Sequence, residues 1–208
     1  KFFRRHQVSD AVMIGAIKKP GSIAAIRPDF KAIALYAGMR HNTHDDNVLR
    51  AFAKALEDEG IGILSATFLL PELLAEEGCW TKRKPSREEQ VDIALGWKMA
   101  KGIGNLDIGQ CVGVSKGTVT AVEAIDGTES TMRRGGELGN GNAVVVKVCK
   151  PLQDFRFDVP TVGTRTIETM RDSGAGVLAV EAGKSLVLDR REMVRLADEH
   201  QISIVAMK

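Results

Sequence analysis

The chain has 208 residues, enough for one large domain or two small ones with a real apolar core. Apolar residues make up 44% and charged residues 27%, the balance of a soluble globular protein, and a net charge of +2 scattered along the chain gives no basis for a nucleic-acid partner. Three widely separated cysteines, Cys79, Cys111 and Cys149, show neither metal-ligand spacing nor an even disulfide framework, which points to a reducing cytosol, and no apolar run has the length of a membrane span.

In chain order, Lys1-Phe-Phe-Arg-Arg5 lacks an initiator Met and reads as the end of a helix, so the chain is expected to begin inside a domain that is incomplete at its N-terminus. Asp10 to Ile17 reads as a buried strand and 28–38 as a helix. Val48, Leu49, Phe52, Ala55 and Leu56 share one face of an amphipathic helix that Gly60 is placed to end. Ile61 to Ser65 reads as the next strand, and Pro71 opens a short helix. Strands alternating with helices predict a parallel sheet. The polar stretch from Glu76 to Lys84 reads as a linker, with Lys82-Arg83-Lys84 as solvated charge, between an N-terminal domain over 1–80 and a C-terminal catalytic domain over 81–208.

The second half opens on a capping-box pattern, Ser86 with Glu89, ahead of a helix that runs to Gly102. Residues 109–114 and 118–123 read as two strands about the turn Ser115-Lys116-Gly117. Thr128 is placed to cap a helix carrying Met132, Arg133 and Arg134, and Gly135 to Gly141 reads as a flexible glycine-rich turn. A strand over 143–148, a helix over 165–172, a strand over 176–180, a helix over 190–199 and a strand over 202–206 complete the pattern. The fold class is therefore α/β: two small α/β domains with the active site expected in a cleft between them.

The chemistry concentrates in Lys147 to Pro160, where an apolar strand feeds a loop holding Asp154 and Asp158 among Lys147, Lys150 and Arg156. Carboxylates hold a hard cation such as Mg²⁺, and lysine and arginine neutralise phosphate, so the mixture fits a metal-assisted reaction on a phosphate ester or anhydride. A turn with solvated charges is the competing reading. Asp154 and Asp158 either share one Mg²⁺ or divide the labour, one holding metal while the other orients water. Thr128 and the backbone amides beside it are placed to receive a phosphate, with Arg133 adding charge, while Glu123 stands open between metal ligand and sheet-edge charge. His41-Asn-Thr-His44-Asp45-Asp46 has the look of a metal cluster, but N-capping of the following helix explains an aspartate there without metal.

Several motifs, in order, resemble the metal-dependent UDP-2,3-diacylglucosamine pyrophosphatases of lipid A biosynthesis in Gram-negative bacteria. They are Leu106 to Val114, Ala121 to Arg134, Phe157-Asp-Val-Pro-Thr-Val-Gly163, Thr166 to Met170, Ala179-Val-Glu-Ala-Gly183 and Leu188 to Glu192, with a looser match at Ser22 to Asp29. The resemblance covers about residues 86–205. It implies hydrolysis to UMP and 2,3-diacylglucosamine 1-phosphate (lipid X), with Mg²⁺ or another divalent cation as cofactor. It implies Asp154 and Asp158 as metal-binding and catalytic residues, and Thr128, Arg133, Lys147, Lys150 and Arg156 as substrate-binding ones. It further implies a lipid-linked nucleotide-sugar substrate met peripherally at the inner membrane from the cytoplasm, an apolar groove for its acyl chains, and leaves a homo-oligomer open. Two alternatives stand beside it: a pyrophosphatase for another nucleotide-linked substrate, and a nucleotide-sugar or lipid-binding protein without turnover.

Overall fold

The structure is a computed structural model, and it describes residues 2–14, 45–156 and 158–208. The helix expected at 28–38, the Ser22 to Asp29 match, and the pair His41 and His44 lie outside the described residues, as does Phe157. The chain divides into two compact units, one of Lys1–Leu69 with Asp154–Asp158, the other of Leu70–Gln153 with Val159–Lys208.

In the smaller unit, α1 (Phe2–Arg5) leads to β1 (Asp10–Val12), and α2 (Asp45–Glu57) leads to β2 (Gly62–Leu64). β1 and β2 pair in parallel, Ala11 opposite Ile63. Ala53 from the helix and Ile61 and Ile63 from the strand segment are buried, the outcome that the amphipathic pattern of 47–57 predicts. Gly60 adopts φ 82°, the left-handed turn that ends a helix without a Cβ clash.

The larger unit begins with a 3₁₀ turn at Pro71–Leu73 rather than an α-helix. It continues through β3 (Gly78–Cys79), α3 (Arg87–Asn105), β4 (Cys111–Ser115), β5 (Thr118–Val122), α4 (Gly127–Leu138), β6 (Ala143–Lys147), β7 (Thr161–Val162), α5 (Thr164–Ser173), β8 (Ala175–Glu181), β9 (Leu186–Val187), α6 (Arg190–Glu199) and β10 (Ser203–Met207). Its main sheet has the order β3-β10-β8-β6-β4-β5. The central strands β10, β8 and β6 are parallel; β3, β4 and β5 run antiparallel to their neighbours at the edges. β7 and β9 form a separate parallel pair.

Strand alternation assigns the two faces of this sheet. Val144, Val146 and Val148 pack with Val112, Val114 and Ile93 under α3. Val145, Leu178, Val180 and Ile204 face the other way, onto Met132, Ile167, Met170 and Met193 of α4, α5 and α6. Strands buried on both faces read as continuous Val/Leu runs, which is why β6 and β8 were visible in the sequence. The methionines of α4, α5 and α6 are core residues.

Two stretches differ from the expectation. Residues 76–84 are no linker: β3 pairs antiparallel with β10, Cys79 opposite Val205, and the Thr81 hydroxyl accepts from Ile204 N at 3.0 Å. Arg83 reaches inward, donating to Gly176 O and Ser203 Oγ and pairing with Glu89. The glycines of 135–141 are a turn only from Gly139 to Gly141. Gly135 and Gly136 lie buried inside α4, where a Cβ on Gly136 would sit 2.5 Å from Ser173 O and one on Gly113 would sit 3.0 Å from Gly135 Cα. Glycine here lets α4 approach β4 and α5 at backbone distance.

Candidate active site

Ligand groups in a parallel α/β sheet gather beyond the carboxyl ends of the strands. In the larger unit that edge is built by Lys147 at the end of β6 and Glu181 at the end of β8. The start of β4 belongs to it too, because Cys111 pairs antiparallel with Lys147. Gly104, near the end of α3, comes against Lys150 and Pro151: a Cβ there would lie 3.2 Å from Pro151 Cδ. Four exposed aliphatics, Leu106, Ile108, Ile125 and Leu152, sit on the loops of this same edge.

Lys147 is buried, and its ammonium donates to the Thr161 carbonyl at 2.9 Å, tying β6 to β7. Lys150 turns toward the other loop, its Nζ 2.9 Å from Asp107 Oδ1. Thr128 is not the helix cap; Asp126 holds the N-cap position without a side-chain cap bond. The Thr128 hydroxyl donates to Glu123 Oε1 at 2.6 Å, and Glu123 Oε2 accepts from Gln110 N at 2.9 Å. Glu123 is thus a buried brace between β5, the strand start at Gln110 and the first turn of α4. The first-turn amides of this 12-residue helix have no acceptor within the helix, and they aim at the carboxyl edge. Arg133 stands on the exposed side of α4, 3.6 Å from Glu129, one turn back.

Asp154, Arg156 and Asp158 belong to the smaller unit. Arg156 grips Asp154 with two parallel bonds, Nε to Oδ1 at 2.9 Å and Nη2 to Oδ2 at 2.7 Å, while its Nη1 meets Glu57 at 2.6 Å. The Arg156 guanidinium beside Asp154 holds that carboxyl below the usual carboxylate range. Arg50 adds a weaker pairing at 3.9 Å. The Asp158 amide donates to the Asp154 carbonyl at 3.0 Å, which puts both aspartates on one turn. The Ser65 hydroxyl, donating to Phe155 O at 2.9 Å, anchors that turn to the segment after β2.

Among the described residues no three His, Cys, Asp or Glu side chains come together as a metal cage. An aspartate pair on one turn nevertheless suits Mg²⁺, which is held by one or two carboxylates together with substrate phosphates and keeps much of its water. The Cys111 thiol offers no nucleophile at this edge. Burial, with the charge of Glu123 adding to it, pushes the Cys111 thiol up to about 12. A surface cavity of about 670 Å³ beside Trp80 and Val194 holds none of these residues; its Arg190 is stacked on Trp80 and paired with Glu76.

Sequence reasoning gave no role to Lys101, Glu181 and Lys184, which form a charged cluster at the same edge. Glu181 Oε2 accepts from Lys101 Nζ at 2.5 Å, and its Oε1 lies 2.9 Å from Lys184 Nζ. Burial would raise the Glu181 pKa, but the bonds from Lys101 and Lys184 outweigh it and the value is lowered. A signal existed: a single carboxylate directly after the apolar run of β8 and before Ala182-Gly183.

Comparison with known proteins divides the chain near residue 75, with Asp154–Asp158 falling in the C-terminal match. Residues 1–73 match the LpxI N-terminal domain and residues 76–205 the LpxI C-terminal domain. The UDP-2,3-diacylglucosamine pyrophosphatase LpxI of Caulobacter vibrioides is 33% identical over 195 residues, an alignment that covers 89% of this chain and 69% of that protein. The chain belongs to the LpxI family.

Proposed function

We propose that this chain hydrolyses the pyrophosphate bond of UDP-2,3-diacylglucosamine, releasing UMP and 2,3-diacylglucosamine 1-phosphate in lipid A biosynthesis, with a divalent cation, Mg²⁺, as cofactor. The observation that carries the reading is the named activity of the Caulobacter relative, joined to the carboxyl edge described above. That edge presents the Lys150 ammonium and the amide end of α4, and the chain runs from it into the turn holding Asp154 and Asp158.

In this reading water attacks one phosphorus in line. A new P–O bond forms, the bond to the bridging oxygen breaks, and the nucleotide or the sugar phosphate leaves with that oxygen. Asp158 orients the water and takes its proton. Asp154 and Asp158 would hold the cation, and Arg156 keeps Asp154 ionised and oriented for it. A bound Mg²⁺ supplies charge neutralisation on the phosphates. Lys150 stabilises the charge that develops on the phosphoryl oxygens, an electrostatic contribution realised mainly in the transition state. Lys147 acts through the fold, by holding Thr161.

Among the described residues no helix is long and apolar enough to cross a membrane. In this reading the substrate is met from the cytoplasmic side at the membrane surface, with its acyl chains against the aliphatics of the carboxyl edge, Leu106, Ile108, Ile125 and Leu152. UMP release from UDP-2,3-diacylglucosamine, measured with Mg²⁺ and again with EDTA, tests this. Release that EDTA abolishes and added Mg²⁺ restores is expected. Binding of the substrate without UMP release would leave a nucleotide-sugar or lipid-binding protein, and release unaffected by EDTA would remove the cation.

A further inference from the structure

Glu181 completes a ring of contacts that the reaction above does not use. The residue is 5% exposed at the end of β8. Its Oε2 accepts from both Lys101 Nζ, at 2.5 Å, and the Cys149 amide, at 2.9 Å. Lys101 Nζ also donates to the Cys149 carbonyl at 3.0 Å. One ion pair thus holds residue 149 by its N–H and by its C=O.

That grip falls where the chain leaves β6. The next turn closes on itself: Lys150 N donates to Gln153 Oε1 at 2.9 Å, and Gln153 N donates to Lys150 O at 3.0 Å. Pro151 packs against Gly104, one turn of α3 beyond Lys101. The Lys150 backbone is therefore set between the Glu181–Lys101 ring on one side and its own closed turn on the other. Burying a carboxylate is a costly way to end a strand, since its charge must leave water where an apolar contact would serve the fold as well. What the pair adds over an apolar contact is direction, and the group it directs is the peptide next to Lys150.

We propose that Glu181 is a positioning residue for pyrophosphate hydrolysis: together with Lys101 it fixes the Cys149 peptide and thereby the place of the Lys150 ammonium at the carboxyl edge. The inference rests on the pyrophosphatase reading above. It has consequences for turnover that a purely structural role lacks, because a charge displaced by about an ångström from its transition-state partner lowers the rate while leaving much of substrate binding intact.

The test is steady-state UMP release from UDP-2,3-diacylglucosamine by the whole protein and by Glu181→Gln, Lys101→Ala, Lys101→Arg and Lys98→Ala, each with a thermal melt. Glu181→Gln keeps volume and one acceptor but loses the charge that both lysines meet. The expected result is a fall in kcat on the order of 10-fold for Glu181→Gln and Lys101→Ala, with KM moving less than about threefold. Lys101→Arg should recover most of the loss, and Lys98→Ala, exposed on the same helix, should match the wild type. Wild-type kcat and KM in Glu181→Gln would overturn the proposal. So would losses that follow the melting temperature alone, with no recovery in Lys101→Arg. If the wild type itself releases no UMP, the pyrophosphatase reading fails and the positioning role falls with it, an outcome distinct from an active wild type with an equally active Glu181→Gln.

Discussion

Asp154 and Arg156 lie two residues apart and clasp each other side by side, both carboxylate oxygens facing guanidinium nitrogens at 2.9 and 2.7 Å. The geometry is the bidentate fork that makes arginine the preferred partner of a carboxylate. It holds the Asp154 carboxylate rigid, and the Asp158 amide joins the same turn through the Asp154 carbonyl.

If Asp158 acts on the reacting water, replacing it with Ala should lower UMP release on the order of 10²-fold or more with the melting temperature nearly unchanged. Asp154→Ala should lose turnover and also loosen the loop, because Arg156 and Glu57 lose their common anchor. Parallel activity assays and thermal melts of the two variants check this. Full activity in both would remove the carboxylate pair from the mechanism.

The pairing also predicts how stability depends on pH. The Arg156 bond lowers the folded pKa of Asp154, whereas in the unfolded chain an aspartate titrates near about 3.9. Its contribution is therefore fully present above about pH 4 and is lost as pH falls through the lower, folded value. Asp154→Asn should be less stable than wild type at pH 7, and the gap should narrow as pH drops below about 4. Urea titrations at neutral pH and at about pH 3 measure it; a gap of constant size would show that ionisation of Asp154 adds nothing to stability.

Gly136 supplies a test of the packing. At an open site in a helix, Gly→Ala gains about 1 kcal/mol. Here the added methyl would fall 2.5 Å from Ser173 O and 2.7 Å from Ser173 Cβ. Gly136→Ala should instead cost about 1–3 kcal/mol through overpacking, as a lower urea midpoint at unchanged slope. A gain would mean that α4 can move off α5 freely.

Lys150→Met should reduce kcat/KM on the order of 10-fold, while Asp107→Asn, which neutralises one carboxylate beside the ammonium, should change it far less. Equal kinetics for Lys150→Met and wild type would place the phosphate elsewhere on the edge.

Much of the larger unit was legible because its signals are local. The valine run of β6, the apolar run of β8, the helix at Arg190–Glu199 and the Ser86–Glu89 capping box each declare themselves within a few residues. Long-range pairing hid the rest. The polar 76–84 stretch becomes an edge strand only when Cys79 meets Val205, and nothing near it in sequence announces that partner. Gly135 and Gly136 look like a turn until Gly113 and Ser173 are brought against them. The charged loop after β6 stood out as a candidate because its residues are contiguous. Glu181 was not, because its partners Cys149 and Lys101 lie 32 and 80 residues away.

The most direct measurement compares two substrates with the same pyrophosphate, UDP-2,3-diacylglucosamine and UDP-N-acetylglucosamine, by UMP release at equal enzyme and Mg²⁺. If remote acyl binding helps to place the reacting phosphates, the diacyl compound should be hydrolysed with a kcat/KM higher by about 10²-fold or more. Equal efficiency on both would contradict the lipid A assignment and leave a general nucleotide-sugar pyrophosphatase.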